Sequence, residues 1–168
     1  MMRYDYYDGP HGRMLLVSRG EDLCGAYFKW QKHFREPERE WHLEPDAAPL
    51  RQARRELAEY FGGRRTRFEV PLAAEGTPFQ RAVWKAIAGV PFGETISYAE
   101  LARRAGRPGS ARAAGAATGR NPIGVIVPCH RIVGSDGSLT GYAGGLDRKR
   151  ALLALEDGAR SACHRQAA

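Results

Sequence analysis

Residues Ser97 to Gly119 read SYAELARRAGRPGSARAAGAATG, and the fold is decided here. Ser97-Tyr98-Ala99-Glu100 has the S-x-x-E form of a capping box, in which the serine and glutamate side chains satisfy free N–H groups at a helix start. The helix it opens is expected to run through Ala105 and to end at Gly106. Pro108-Gly109-Ser110 makes a turn, and Ser110 is expected to cap a second helix reaching about Gly119. Two short helices joined by a glycine-containing turn form a helix-turn-helix. In the second helix Ala111, Ala113, Ala114, Gly115, Ala116 and Ala117 leave Arg112 as the only long side chain. Major-groove reading needs several donors and acceptors aimed outward, which this helix lacks. It suits either close approach to something narrow, such as a minor groove, with one arginine projecting, or tight packing on another helix.

The charge around this motif is one-sided. From Leu101 to Ser135 there are six arginines (Arg103, Arg104, Arg107, Arg112, Arg120, Arg131) and no acidic residue. Over the whole chain the formal net charge is +7, with 13 basic against 12 acidic residues up to Ala73 and 13 against 7 after it. Such a stretch suits a polyanion, or a solvated arginine-rich surface.

Upstream, Met2–Tyr7, Met14–Ser18 and Cys24–Phe28 are short aromatic and aliphatic runs separated by Gly-Pro-His-Gly and Arg-Gly-Glu-Asp. They predict a small antiparallel sheet with tight turns. Residues 31–49 read as a surface loop. Leu50, Ala53, Leu57, Tyr60 and Phe61 fall at helical spacing before Gly62-Gly63, and Phe68 to Leu72 is expected to add a strand. Thr77-Pro78 then caps a helix whose apolar face is Phe79, Val83, Trp84, Ile87 and Val90.

Downstream, Asn121-Pro122-Ile123-Gly124-Val125-Ile126-Val127-Pro128 leads into Cys129-His130-Arg131. An imidazole or a cation beside a thiol favours its thiolate, and both types follow within two residues. Adjacent side chains of a strand face opposite ways, so Cys129 and His130 cooperate only if the chain turns, which Pro128 makes plausible. The alternative is an inert buried cysteine. Cys163-His164-Arg165 repeats the tripeptide in a polar, alanine-rich end, and residues 158–168 are expected to form a disordered tail.

From Thr77-Pro78-Phe79-Gln80 and Gly93-Glu94-Thr95-Ile96-Ser97-Tyr98 through Pro128-Cys129-His130-Arg131 to Leu139–Leu146 and Glu156, the chain resembles the O6-alkylguanine-DNA alkyltransferases. The resemblance implies an α/β (α+β) protein in two domains. A ribonuclease H-like N-terminal antiparallel sheet with a helix would span residues 1–73, and a mostly helical domain with the helix-turn-helix residues 74–157. It further implies direct reversal of DNA damage. Family members flip an alkylated guanine from the duplex and transfer its O6 alkyl group, irreversibly and once, to their own cysteine, with O4-methylthymine as an expected second substrate. By matching positions Cys129 is the acceptor, His130 removes its proton through a water, and Glu156 orients the histidine. Tyr98 protonates the leaving base at N3, and Asn121 ties the second helix to the cysteine turn. Arg112 takes the place of the flipped base, with Ser110, Ala111, Ala113, Ala114, Tyr98 and Arg120 also at the DNA. The carbonyls of Cys129 and Ile132 and the loop Tyr142-Ala143-Gly144 contact the guanine. Gly124 stands where animal members carry a proline that packs on benzyl groups, so free O6-benzylguanine is expected to inactivate this protein poorly. The alternative is a non-catalytic lesion sensor, in which relatives carry tryptophan at the acceptor position.

No cofactor is expected. His11, Cys24, His33 and His42 lack the tight spacing of a zinc site, so no metal is expected either. Three scattered cysteines make no disulfide framework. With no membrane-spanning run and no apolar segment behind the N-terminal charge, a cytoplasmic protein is expected. A monomer on double-stranded DNA is expected, with cooperativity along the duplex left open.

Overall fold

The computed structural model describes residues 1–167, with side chains through residue 161. Three strands, β1 (Met2–Gly9), β2 (Gly12–Arg19) and β3 (Asp22–Phe28), pair antiparallel in the order the apolar runs predict. Met14 to Ser18 of central β2 are all buried, because both faces of this strand are covered. The 31–49 segment is not all loop. It contains β4 (His42–Leu43), which adds parallel to β1, giving a sheet of order β3-β2-β1-β4. α1 (Ala48–Phe61) starts two residues earlier than its apolar spacing suggests, with Pro49 in its first turn, and lays Leu50, Ala53, Leu57 and Tyr60 on the sheet.

The strand expected at Phe68–Leu72 does not form; Leu72 makes one isolated bridge to Leu23. The reason is local. Glu56 takes the Glu69 and Val70 N–H groups on its Oε2 (2.9 and 3.2 Å), and Pro71 has no N–H to give.

α2 (Pro78–Ala88) opens with a full reciprocal box between Thr77 and Gln80. At α3 (Tyr98–Arg104) the expected box is half present. Ser97 accepts from Glu100 N–H, but the Glu100 carboxylate turns to Arg103 (2.6 Å) and Arg104 (2.9 Å). Ser110 does not cap α4 (Ala111–Gly119) with its side chain; its backbone carbonyl accepts from Ala114 N–H at 2.9 Å. Short β5 (Ile96–Ser97) and β6 (Ile132–Val133) pair in parallel. α5 (Leu146–Ala167) continues helical past residue 157, where an unstructured tail was expected. Alanine-rich composition favours the helix there. The side chains of Cys163, His164 and Arg165 lie outside the described residues.

Candidate active site

Two tight turns deliver the cysteine. Ile126 N–H bonds Gly124 C=O (2.8 Å) across Val125, whose φ is +69°, and Cys129 N–H bonds Val127 C=O (2.8 Å) across Pro128. These are γ-turns, the first of the strained kind for a β-branched residue, costing about 1–3 kcal/mol. Asn121 holds the pair together. Its Nδ2 donates to Val127 C=O (2.8 Å) and its Oδ1 accepts from Ile123 N–H (3.0 Å). The edge of β3 braces the same segment, through Ala26 N–H to Pro122 C=O and Gly124 N–H to Ala26 C=O, both 2.8 Å. Cys129–Arg131 then form one turn of 3₁₀ helix, so neighbouring side chains no longer face opposite ways.

Below the thiol lies a buried ionic cluster. Glu156 of α5 accepts from His130 Nε2 (2.6 Å), Arg131 Nη2 (3.0 Å) and the Tyr60 hydroxyl (2.6 Å) on Oε2. Its Oε1 accepts from Arg131 Nε (2.8 Å) and Gly93 N–H (3.2 Å). Burial alone would raise the Glu156 pKa, but the His130 and Arg131 hydrogen bonds prevail and bring it down to about 2. His130 is fully buried. Burial lowers its pKa and Glu156 opposes that, so at neutral pH the ring is neutral, with Nε2–H given to Glu156. Its Nδ1 has no hydrogen-bond partner among the described residues and carries the basic lone pair. Burial raises the Cys129 thiol, against smaller lowering by Asn121 and Lys149. The resting pair is therefore thiol and imidazole, and the nucleophile forms only when its proton moves.

Above the thiol is a cavity of about 660 Å³ lined by Cys129, Tyr98, Tyr142, Ala143, Gly115 and Arg120 among others. Tyr98 stands on its wall, its hydroxyl donating to Thr140 C=O (3.0 Å), and the Gly115 backbone passes against the Tyr98 ring. Ile132 and Gly144 do not reach this cavity. Ile132 is fully buried with its carbonyl accepting from Lys149 Nζ (2.6 Å), and Gly144 is packed beneath the Tyr142 and Phe28 rings. Lys149, also fully buried, ties Thr140 and Gly141 carbonyls (3.1 and 3.2 Å) to the same ammonium and so fixes the loop over the cavity.

On α4 both readings of the alanine helix hold, one for each face. Ala114, Ala117 and Thr118 are buried against the core, while Arg112, Ala113 and Ala116 are exposed. Ala114 is thus removed from the expected DNA-facing set, since its side chain is fully buried; Ser110 and Ala111 are partly exposed. The arginines also divide. Arg131 is buried on Glu156 and faces no ligand, and Arg103 and Arg104 pair with Glu100, the residue before the acid-free stretch. Arg107 lies over the Phe79 ring, and Arg112 and Arg120 carry no ion pair among the described residues. No group of three His, Cys, Asp or Glu is placed to hold a metal among the described residues. No helix there is long and apolar enough to cross a membrane.

Residues 2–74 match the family model described as 6-O-methylguanine DNA methyltransferase, ribonuclease-like domain, and residues 78–158 match the DNA binding domain of the same name. The chain belongs to the 6-O-methylguanine DNA methyltransferase family. Its relatives include the methylated-DNA--protein-cysteine methyltransferase of Mycobacterium tuberculosis, 47% identical over 93% of each chain. That of Methanosarcina barkeri is 46% identical over 93% of this chain and 98% of its own. The crystal structure of M. tuberculosis OGT in complex with DNA superposes with a TM-score of 0.86, at 44% identity and 94% coverage of each chain.

In this methyltransferase-family chain, the structure places Cys129, His130, Glu156, Asn121 and Tyr98 in one region, around the cavity and the ionic cluster. Two residues of the site were not expected. Tyr60 reads as an ordinary apolar position of α1, and Lys149 as one charge in the run Asp147-Arg148-Lys149-Arg150. Nothing in their spacing announces the buried partners.

Proposed function

We propose that the protein repairs DNA by transferring the alkyl group of O6-alkylguanine to Cys129, once and irreversibly. The observation that carries this reading is the buried Cys129 thiol at the floor of the cavity, beside a neutral His130 held by Glu156. Cys129 Sγ attacks the alkyl carbon, forming C–S while the C–O6 bond breaks, and the electron pair returns to the purine. The thiol proton passes through a water to His130 Nδ1, whose imidazolium the Glu156 carboxylate stabilises. Tyr98 is held protonated, chiefly by burial, and supplies a proton to the departing guanine. Return of the imidazolium proton to Tyr98 closes the balance, so the net proton moves from thiol to guanine. The product is a thioether with no good leaving group, which ends the reaction after one event.

Exposed Arg112, on a helix face otherwise reduced to alanine, supports a role in holding open the duplex once the nucleotide is extruded. Double-stranded DNA carrying alkylated bases is the partner, bound by a monomer. The test is intact mass after incubation with a duplex containing O6-methylguanine. One added CH2 per protein, on the Cys129 peptide and lost in Cys129→Ser, is expected. Binding without a mass change overturns the reading.

A further inference from the structure

Lys32 and His33 lie between β3 and β4 of the N-terminal sheet in the chain, yet both stand at the rim of the cavity above Cys129, together with Arg120 from the end of α4. We propose that the turn 29–34 is a second DNA-contact element, in which Lys32 and His33, with Arg120, hold a backbone phosphate next to the nucleotide that enters the cavity. The proposal rests on the reading that this cavity receives a base from DNA. A base that enters it leaves its phosphodiester at the mouth, and no aspartate or glutamate lines that cavity among the described residues. Lys32 has no acidic partner among the described residues, whereas Arg35 on the same segment is paired with Glu38.

The turn is built rather than loose. Gln31 N–H bonds Phe28 C=O (3.1 Å), Phe34 N–H bonds Gln31 C=O (3.0 Å), and Gln31 Oε1 accepts from Phe28 N–H (2.8 Å). Lys32 N–H donates to Ala143 C=O (3.0 Å), fastening the turn to the loop that lines the cavity. Trp30 and His33 both hold positive φ, +69° and +62°, which non-glycine residues adopt only where surrounding structure imposes it. Slight burial and the nearby Arg120 and Lys32 charges hold His33 below its ordinary pKa. In the free protein it is therefore neutral at pH 7, an N–H donor beside the Lys32 charge.

Neutralising one phosphate contributes about 0.9 to the slope of log affinity against log salt. The test is fluorescence anisotropy with an O6-methylguanine duplex between 50 and 200 mM salt, with thermal midpoints to verify folding. Lys32→Ala is expected to bind more weakly at low salt with a slope smaller by about 0.9, so the wild-type advantage shrinks about 3.5-fold across that range. Lys32→Arg should restore the slope, and His33→Ala should weaken binding without changing it. Lys29→Ala removes a charge that lies over the Trp30 ring and away from the cavity, and should keep the wild-type slope. An unchanged slope in Lys32→Ala, or an equal loss in Lys29→Ala, overturns the proposal. Intact mass of wild type on the same duplex is read alongside. Failure to transfer there refutes the reading of Cys129, whereas the salt slopes judge the phosphate contact separately.

Discussion

Replacing Tyr60 by phenylalanine removes one hydroxyl from the centre of the ionic cluster and little else. The Tyr60 ring packs among Phe61, Phe68 and Phe92, with centroids 5.3, 5.4 and 6.2 Å away, and a phenylalanine ring can occupy the same place. The lost contact is the 2.6 Å hydrogen bond to Glu156 Oε2, one of three donors on that oxygen. A buried hydrogen bond to a charged group contributes about 1.5–3 kcal/mol, so stability should fall by that amount. In a chain of this size the thermal midpoint should drop by about 3–12 °C. The chemistry should change in a second, separable way. With one donor fewer, Oε2 becomes more basic and stabilises the His130 imidazolium more strongly, raising the His130 pKa. Only the neutral ring accepts the thiol proton, so alkyl-transfer rate rises with pH through that pKa. Its inflection should move upward relative to wild type. Single-turnover transfer from an O6-methylguanine duplex, followed by mass from pH 5 to 8, measures it. Destabilisation with an unmoved inflection would show that Tyr60 is only a packing residue and refute the argument.

Glu156 makes the fold acid-sensitive. Its folded pKa of about 2 lies below the ordinary 4.5, so its contribution is complete above about pH 4.5 and is lost as pH falls towards 2. That contribution is on the order of 3 kcal/mol, and Glu156→Gln should flatten stability against pH over this window; acid unfolding curves parallel to wild type would contradict the account. Lys149→Met should cost about 3 kcal/mol or more in urea unfolding, because it leaves the Ile132, Thr140 and Gly141 carbonyls without their shared donor, and should slow transfer by releasing the loop over the cavity. Arg112→Ala should leave stability within about 0.5 kcal/mol, since the side chain is exposed and unpaired, while slowing repair of duplex DNA. Free O6-benzylguanine should inactivate the protein slowly compared with methylated DNA; rapid stoichiometric loss of activity at micromolar free base would show that a packing surface at position 124 is not needed to bind the benzyl group.

Sequence alone settled what short-range physics settles. The runs 2–7, 14–18 and 24–28 with their two-residue turns specify a sheet, since hairpin pairing needs only neighbouring strands and the right turn residues. Thr77-Pro78 and the glycine-broken helices are similarly local. The Cys129–His130 turn was legible because Pro128 marks it, and the family resemblance supplied Glu156, which lies 26 residues beyond His130. Local signals misled where other partners competed for the same groups, one of them distant in the chain and one in the next turn of the same helix. Glu56 withdrew the N–H groups of Glu69 and Val70 from a strand, and Arg103 and Arg104 withdrew Glu100 from its capping box. Charge counting likewise placed Arg131 in a stretch suited to a polyanion or to solvent, whereas the structure buries it on Glu156. Tertiary structure alone decided which ionisable groups meet in the interior. Tyr60, separated from Glu156 by 96 residues, and Lys149, closed over the carbonyls of the cavity loop, acquire their roles only there. A buried charge must be paired, and its partner is chosen by the packing of whole elements, which no local spacing records.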